Sequence, residues 1–313
     1  MSKLSIIMYH YVRELEETRY PEIKGLRKSE FRSQLKFIKE NFNVVTMQQV
    51  LAALVGSEDL PTNAALLTFD DGYLDHFVNV FPVLFDEKLQ GSFYPPLAPI
   101  KDRKLLDVNR VHFVLASAPV EKILETIKKF VDFWQERGSV SPFEKYYSEW
   151  AKPNRFDSAE IIFIKRMLQT ALPESLREDL SQILFSKYVS SDEKAFASEL
   201  YMDTHQAKMM VECGMHFGSH GDTHQWLNRL TLDVLHREID NSLLFLKAIG
   251  APCKAGEWTL SYPYGGWNDD VVCAVRQRGC ALAVTTHVAQ ADLHRDDALL
   301  LPRFDTNDFP KTF

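Results

Sequence analysis

Two adjacent carboxylates, Asp70 and Asp71, stand at the end of an apolar run in Thr68-Phe69-Asp70-Asp71-Gly72-Tyr73. Neighbouring side chains at a strand end point apart, so one carboxylate can bind a metal while the other faces a reacting water. An Asp-Gly turn leading into a helix has the same composition, and Asp75 reads as a cap for that helix. A second cluster, His220-Gly221-Asp222-Thr223-His224, follows another short apolar run. Two histidines four residues apart reach one ion when they share a helical turn. With one carboxylate they make a His/His/Asp set that leaves positions open for water and substrate, as a catalytic zinc site requires. The third cluster is Ser261-Tyr262-Pro263-Tyr264-Gly265-Gly266-Trp267. Pro and Gly around an aromatic fix a tight loop that can aim a backbone N–H at an oxyanion and wall a cleft with rings. A plain turn with two core aromatics has the same letters. His112, His205, His216, His236 and His294 lack such company and read as core or surface residues.

Strands must carry these clusters. The candidates are Leu4–Tyr9, Ala64–Phe69, Gly91–Tyr94, Met215–Gly218, Leu260–Tyr262, Ala281–Val284 and Leu299–Leu301. Helix-period segments lie between them. In Ser29–Asn41, Phe31, Leu35 and Ile38 share a face and Ser29 is placed to cap it. Thr231–Ile249 repeats the pattern with Leu232, Leu235, Ile239, Leu243 and Leu246, then stops at Gly250 and Pro252. Strand–helix alternation implies a parallel sheet with helices outside, open or closed into a barrel. Chemistry in such folds gathers at the C-terminal strand ends. From about 105 to 200 only helical periodicity is found, with stripes at Val120, Ile123, Leu124, Ile127, Val131 and Trp134, then at Leu176, Leu180, Ile183 and Leu184. Pro142, Pro153 and Pro173 mark the joins. The expected organisation is one domain over 1–313, with a helical insertion at about 105–200. Because it follows a strand end, that insertion is expected on the catalytic side, with Asn109 and Arg110 toward substrate.

The composition, 45% hydrophobic and 25% charged, is that of a folded globular chain. A net charge of −7 argues against nucleic acid as partner, since phosphates need a basic face. Cys213, Cys253, Cys273 and Cys280 form no CxxC pair and read as reduced thiols. No apolar run approaches the ~18 residues of a membrane span, and the start is too short in apolar residues for a secretory leader. A cytoplasmic location is the expectation.

Together the three clusters, in this order and each at a strand end, resemble the polysaccharide deacetylase superfamily, carbohydrate esterase family 4, with its NodB homology domain. TFDDG resembles the first family motif and H-x3-H the second. The resemblance covers roughly 1–100 and 205–305. It implies a distorted β/α barrel with fewer than eight full units. It further implies that Asp71, His220 and His224 hold a divalent metal (Zn, with Co, Ni or Mn also suited to the set). Asp70 would be the catalytic base and the Tyr264 N–H the oxyanion donor. The implied substrate is an N-acetylated amino sugar, in assembly of a surface polysaccharide or glycolipid.

Three departures from the family pattern matter. Gly221 stands where Ser or Thr is usual, so a steadying hydrogen bond must be missing or replaced. Ser261 occupies the Arg position of the third motif, and Arg303 is the residue that can stand in for it by orienting Asp70. The late L-x-H block that brings the acid histidine is absent. Met8-Tyr9-His10-Tyr11 instead resembles a circularly shifted branch, in which that acid, here His10, comes from the first strand. His287 is the rival acid. A metal-dependent amidohydrolase on a non-sugar amide and an inactive barrel used as a binding module are the competing functions. Sugar-stacking aromatics in the cleft, for which Trp226, Tyr264 and Trp267 are candidates, would discriminate the sugar from another amide, and the intact Asp70, Asp71, His220 and His224 oppose the inactive barrel.

Overall fold

The computed structural model describes residues 3–154 and 157–312. The chain divides into two compact units, one of residues 1–13, 25–104 and 197–313, the other of 14–24 and 105–196. In the first unit a parallel sheet is built on β1 (Lys3–Tyr9) and β3 (Ala64–Asp70), paired from Leu4↔Ala64 to Tyr9↔Phe69. All seven residues of β3 are buried. That explains its unbroken apolar run: a parallel strand covered on both faces has no side left for polar alternation.

Beyond β3 come β4 (Ser92–Tyr94) and β5 (His216–Phe217), both parallel. The two-residue β2 (Asn43–Val44) also pairs with β3. On its other side β1 meets β8 (Ala291–Asp292), antiparallel, and β9 (Phe304–Asp305), parallel. A separate parallel pair is formed by β6 (Thr259–Ser261) and β7 (Leu282–Val284). Single parallel bridges, Ser219↔Leu260 and Val284↔Leu301, carry the circuit from β5 to β6 and from β7 toward β9. The fold class is thus the expected α/β with parallel strands, and the ladder around the ring is interrupted at those two bridges. Leu299–Leu301, expected as a strand, contributes only the Leu301 bridge.

Helices α1 (Lys28–Asn41), α2 (Met47–Leu54), α3 (Phe81–Asp86) and α4 (Leu97–Asp102) intervene between the early strands. The second unit consists of α5 (Asp107–Ser117), α6 (Val120–Gln135), α7 (Phe143–Trp150), α8 (Ala159–Arg166), α9 (Glu174–Tyr188) and the start of α10 (Glu193–Leu200), with segment 14–24. No strand occurs among its described residues. Within it Asn109 is fully buried, and Arg110 is committed to Glu193 (2.8 and 2.9 Å) and Asp107 (2.5 Å). Neither side chain is thereby left open to a substrate, contrary to the sequence expectation. The first unit ends with α11 (Thr204–Glu212), α12 (Leu232–Ala248) and α13 (Asp269–Gln277). Among the described residues no helix is long and apolar enough to cross a membrane.

Two local expectations are corrected. α1 begins one residue before Ser29, and the Arg27 N–H is satisfied by Glu30 (2.8 Å). Asp75 caps nothing: its buried carboxylate accepts two bonds from the Arg13 guanidinium (2.7 and 2.9 Å) and one from the Val12 N–H (3.2 Å). It therefore ties the segment after β1 to the turn after β3.

One apolar cluster joins Leu4 and Ile6 of β1, Ala64 and Leu66 of β3, Leu282 and Val284 of β7, and Leu301. Each of these side chains other than Ala64 contributes about 1.5–3 kcal/mol on full burial. Two histidines are buried elsewhere in the first unit. His216 on β5 is 2% exposed and its Nδ1 has no partner; burial alone holds it down at about 3. His76 lies in a π-helical turn against Phe69, Tyr73 and Phe93, and burial holds it at about 4. The unfolded chain protonates both near the usual histidine value of about 6.5. Between that value and about 4 the unfolded state therefore binds more protons, so stability falls as pH drops from 6.5. Urea unfolding at pH 7 and pH 4.5 is expected to show a lower midpoint at pH 4.5. His216→Gln should flatten that dependence, and an unchanged slope would show that buried imidazoles do not drive it.

Candidate active site

Three strand ends meet at the site. After Asp70 closes β3, the backbone turns through two left-handed residues, Asp71 (φ 73°) and Gly72 (φ 68°). A Cβ on Gly72 would sit 2.6 Å from the Pro95 Cβ, so glycine is required by space as well as by φ. Non-glycine residues avoid positive φ, yet Asp71, His224 (φ 59°) and Tyr264 (φ 58°) all adopt it. Strain of this kind persists where the surroundings over-determine it, which is typical of a working site.

Asp71 is 3% exposed. Its Oδ2 accepts from the Tyr73 hydroxyl (2.6 Å), whereas Oδ1 has no donor and faces His224 Nε2 at 3.3 Å and His220 Nε2 at 3.5 Å. The His220 Nδ1–H donates to the Ser261 carbonyl (2.6 Å), which fixes the tautomer and leaves Nε2 as a lone-pair donor. Burial keeps His224 neutral, at about 3, despite Asp71 beside it. Burial would raise the Asp71 carboxyl, but His220, His224 and His10 together hold it well below the usual range. Two ligand atoms about 2.0–2.1 Å from one tetrahedral ion lie about 3.3 Å apart. The separations at Asp71 match that spacing, and an orphaned buried carboxylate oxygen is the atom a cation would satisfy. The donor set fits a divalent metal.

The H-x3-H segment differs from its expected form. It is a loop, not a helical turn, bent by Gly221 (φ 74°) and His224. Asp222 and Thr223 direct their N–H groups to Glu238 of α12 (2.8 and 2.9 Å), and Ser219 Oγ bonds Ser242 of the same helix (2.6 Å). The sequence motifs assigned no role to Glu238, Ser242, Tyr73 or His76.

Asp70 is 2% exposed and takes the fork of Arg303, Nη1 to Oδ1 at 3.0 Å and Nη2 to Oδ2 at 2.7 Å. The Ser261 hydroxyl donates to Oδ2 (3.1 Å) and accepts from Arg303 Nη2 (3.1 Å). Arg303 also donates to Thr68 Oγ1 (3.2 Å) and to the Thr285 carbonyl (2.9 Å), so all five of its N–H groups are directed at acceptors. Burial would raise Asp70, but the Arg303 charge, with His220 and His10, outweighs it and holds the carboxyl at about 2.

Tyr264 forms part of a short 3-10 turn, Pro263–Gly265; its ring packs on His224 (centroids 4.6 Å) and stacks on Trp226 (4.7 Å, 4°). Arg229 lies over the same indole (4.6 Å). Trp267 is 40% exposed. His10 follows β1, is partly exposed, and has its carbonyl held by the His76 Nε2–H (2.8 Å). His287 is exposed, and its carbonyl accepts the Arg303 N–H (2.8 Å).

Residues 187–283 match the family model described as polysaccharide deacetylase. The chain is 35% identical over 79 residues to the poly-beta-1,6-N-acetyl-D-glucosamine N-deacetylase of Escherichia coli K12. That match takes in 25% of this chain and 12% of the E. coli protein. Among solved structures it resembles the Streptococcus pyogenes deacetylase PplD (TM-score 0.56, 17% identity, 97% of this chain and 92% of that one). It also resembles IcaB from Ammonifex degensii (TM-score 0.56, 19% identity, 97% and 91%). At those identities the likeness is one of fold. The family-model match over the C-terminal part of the chain and the likeness in fold both point the same way as the motifs, toward polysaccharide deacetylases of the NodB type.

Proposed function

We propose that the chain is a metal-dependent deacetylase that removes the N-acetyl group from an amino sugar in a glycan. The observation that carries this reading is the Asp71/His220/His224 set, whose buried, donorless Oδ1 lies 3.3 and 3.5 Å from two imidazole nitrogens. The activities named for the relatives, N-deacetylation of an N-acetylglucosamine polymer among them, support the substrate class. A surface polysaccharide or a glycolipid precursor is the glycan intended.

A divalent ion held by these three residues, zinc in the first instance, supplies Lewis acidity for an unreactive amide and a nucleophile at neutral pH. The remaining steps belong to the chain. Asp70, kept ionised and oriented by Arg303, accepts the proton of the attacking water. The Tyr264 N–H donates to the oxygen that becomes negative, and the left-handed turn at Tyr264 sets its direction. His10 gives a proton to the departing amine, which leaves poorly without one. Tyr264 and Trp226, stacked beside His224, and the exposed Trp267 are the rings proposed to meet the sugar.

Acetate release tests the reading. A panel of β-1,6- and β-1,4-linked N-acetylglucosamine oligomers, N-acetylated sugar nucleotides and non-sugar acetamides should give acetate from one or more sugars. A chelator should abolish release and added zinc should restore it. Release from the non-sugar acetamides alone would move the reading to a general amidohydrolase, and no release from any of them would support the inactive barrel.

A further inference from the structure

We infer that Glu238 of α12 is the positioning residue of the histidine loop, and that Gly221 is the space its carboxylate needs. The inference rests on reading Asp71, His220 and His224 as metal ligands.

The loop between His220 and His224 has no ladder of its own, so its backbone groups must find partners elsewhere. On one side its carbonyls are taken by α4: Leu97 N–H donates to the Gly221 carbonyl (3.2 Å) and Ala98 N–H to that of Asp222 (2.8 Å). On the other side Glu238 Oε2 accepts the N–H groups of Asp222 (2.8 Å) and Thr223 (2.9 Å), while Oε1 accepts the Thr223 hydroxyl. Two neighbours on α12 complete the clamp. Asn241 donates to Asp222 Oδ2 (2.7 Å), and Ser242 bonds Ser219, whose Oγ accepts the Gly221 N–H (3.2 Å).

Glu238 is 5% exposed and forms no ion pair among the described residues, so its buried carboxylate is met there by donors of the loop. That is an unusual place for a carboxylate on the packed face of a helix, and it is explained if the loop needs the acceptor. Gly221 completes the argument. A Cβ there would stand 3.0 Å from Glu238 Oε2, at a φ of 74° that already disfavours a side chain. The steadying bond that a Ser or Thr at 221 would offer is thus supplied from α12, and glycine at 221 lets that carboxylate approach. Because His220 and His224 are the two ends of the clamped loop, Glu238 acts on the metal through their convergence.

The test is zinc affinity of the metal-free full chain, measured by competition with a chromophoric chelator, together with thermal melting with and without zinc. Glu238→Ala should weaken zinc binding about 10–100-fold, the usual cost of losing an outer-shell partner. Glu238→Asp, which keeps the charge but falls one methylene short, should weaken it about 10-fold and guards against an alanine variant that does not fold. Glu238→Gln should bind within about 3-fold of wild type, since its Oε1 can accept both N–H groups and its amide can donate to Thr223. A merely structural role would instead lower the metal-free melting temperature and leave zinc affinity intact. Gly221→Ala should cost much more affinity in wild type than in the Glu238→Ala background, where the clash is gone. Wild-type affinity in both Glu238→Ala and Glu238→Asp overturns the inference and leaves the metal site standing. If wild type binds zinc no better than His220→Ala/His224→Ala, the metal reading fails and this inference falls with it.

Discussion

Arg303→Met is expected to destabilise the protein by about 3–5 kcal/mol, because it strands the Asp70 carboxylate without its partner in a buried site. Both side chains are nearly inaccessible, at 1% and 3%, and all five guanidinium N–H groups are engaged. Lysine at 303 keeps the charge but not the fork, so it cannot meet Asp70, Thr68, Ser261 and the Thr285 carbonyl together. Arg303→Lys should therefore recover only part of the loss. Arg303→Met/Asp70→Asn should be more stable than Arg303→Met, since no uncompensated charge is then buried. Turnover should nevertheless stay about 10²–10⁴-fold down in both methionine variants, as expected when a proton acceptor is lost or misdirected. Urea unfolding midpoints of the metal-free variants and acetate release are the two readouts. An Arg303→Met midpoint equal to wild type would show that the pair contributes nothing to the fold.

The stranded carboxylate also explains what could be read from the letters alone. Arg303 was accessible to sequence reasoning because its motif is damaged: with serine at 261, Asp70 needs a cation from elsewhere, and Arg303 sits just past the Leu301 strand bridge. The long strands were accessible too, since burial on both faces of β3 forces an unbroken apolar run. The short strands β2, β8 and β9 have two residues each and owe their pairing to neighbours, so no local pattern marks them. Spacing alone does not tell the histidine loop from a helical turn, because a separation of four is shared by a helix and by this doubly left-handed loop. Only φ separates them, and Gly221 was the one letter that hinted at it. Glu238 and Ser242 carry a faint signal, a carboxylate and a hydroxyl one turn apart within the buried stripe of α12. The expected stripe instead included Leu232, which is 54% exposed. Tyr73 and His76 are invisible in sequence because their roles depend on which atom of a buried ring meets Asp71 or the His10 carbonyl.

His10→Ala should lower turnover about 10²–10⁴-fold while leaving zinc content unchanged, because the role proposed for this residue is to protonate the leaving amine and not to hold the metal. Its place supports that role. It follows β1, the strand paired along its length with β3, so it emerges at the same edge as Asp70 and Asp71. Its charge is among the influences that hold both carboxyls down, which puts the ring within electrostatic reach of them. The His76 Nε2–H bond to the His10 carbonyl fixes the backbone there without occupying the imidazole. His287 has the opposite character. It lies three residues beyond β7, is exposed, and is tied through its backbone to Thr285 and Arg303. His287→Ala is accordingly expected to keep turnover within about 3-fold of wild type, an effect too small for loss of a general acid. Acetate release under saturating substrate, with zinc measured on the same samples, separates the two histidines. Full activity in His10→Ala together with collapse in His287→Ala would transfer the acid to His287. Loss of zinc in His10→Ala would instead make His10 part of the metal site.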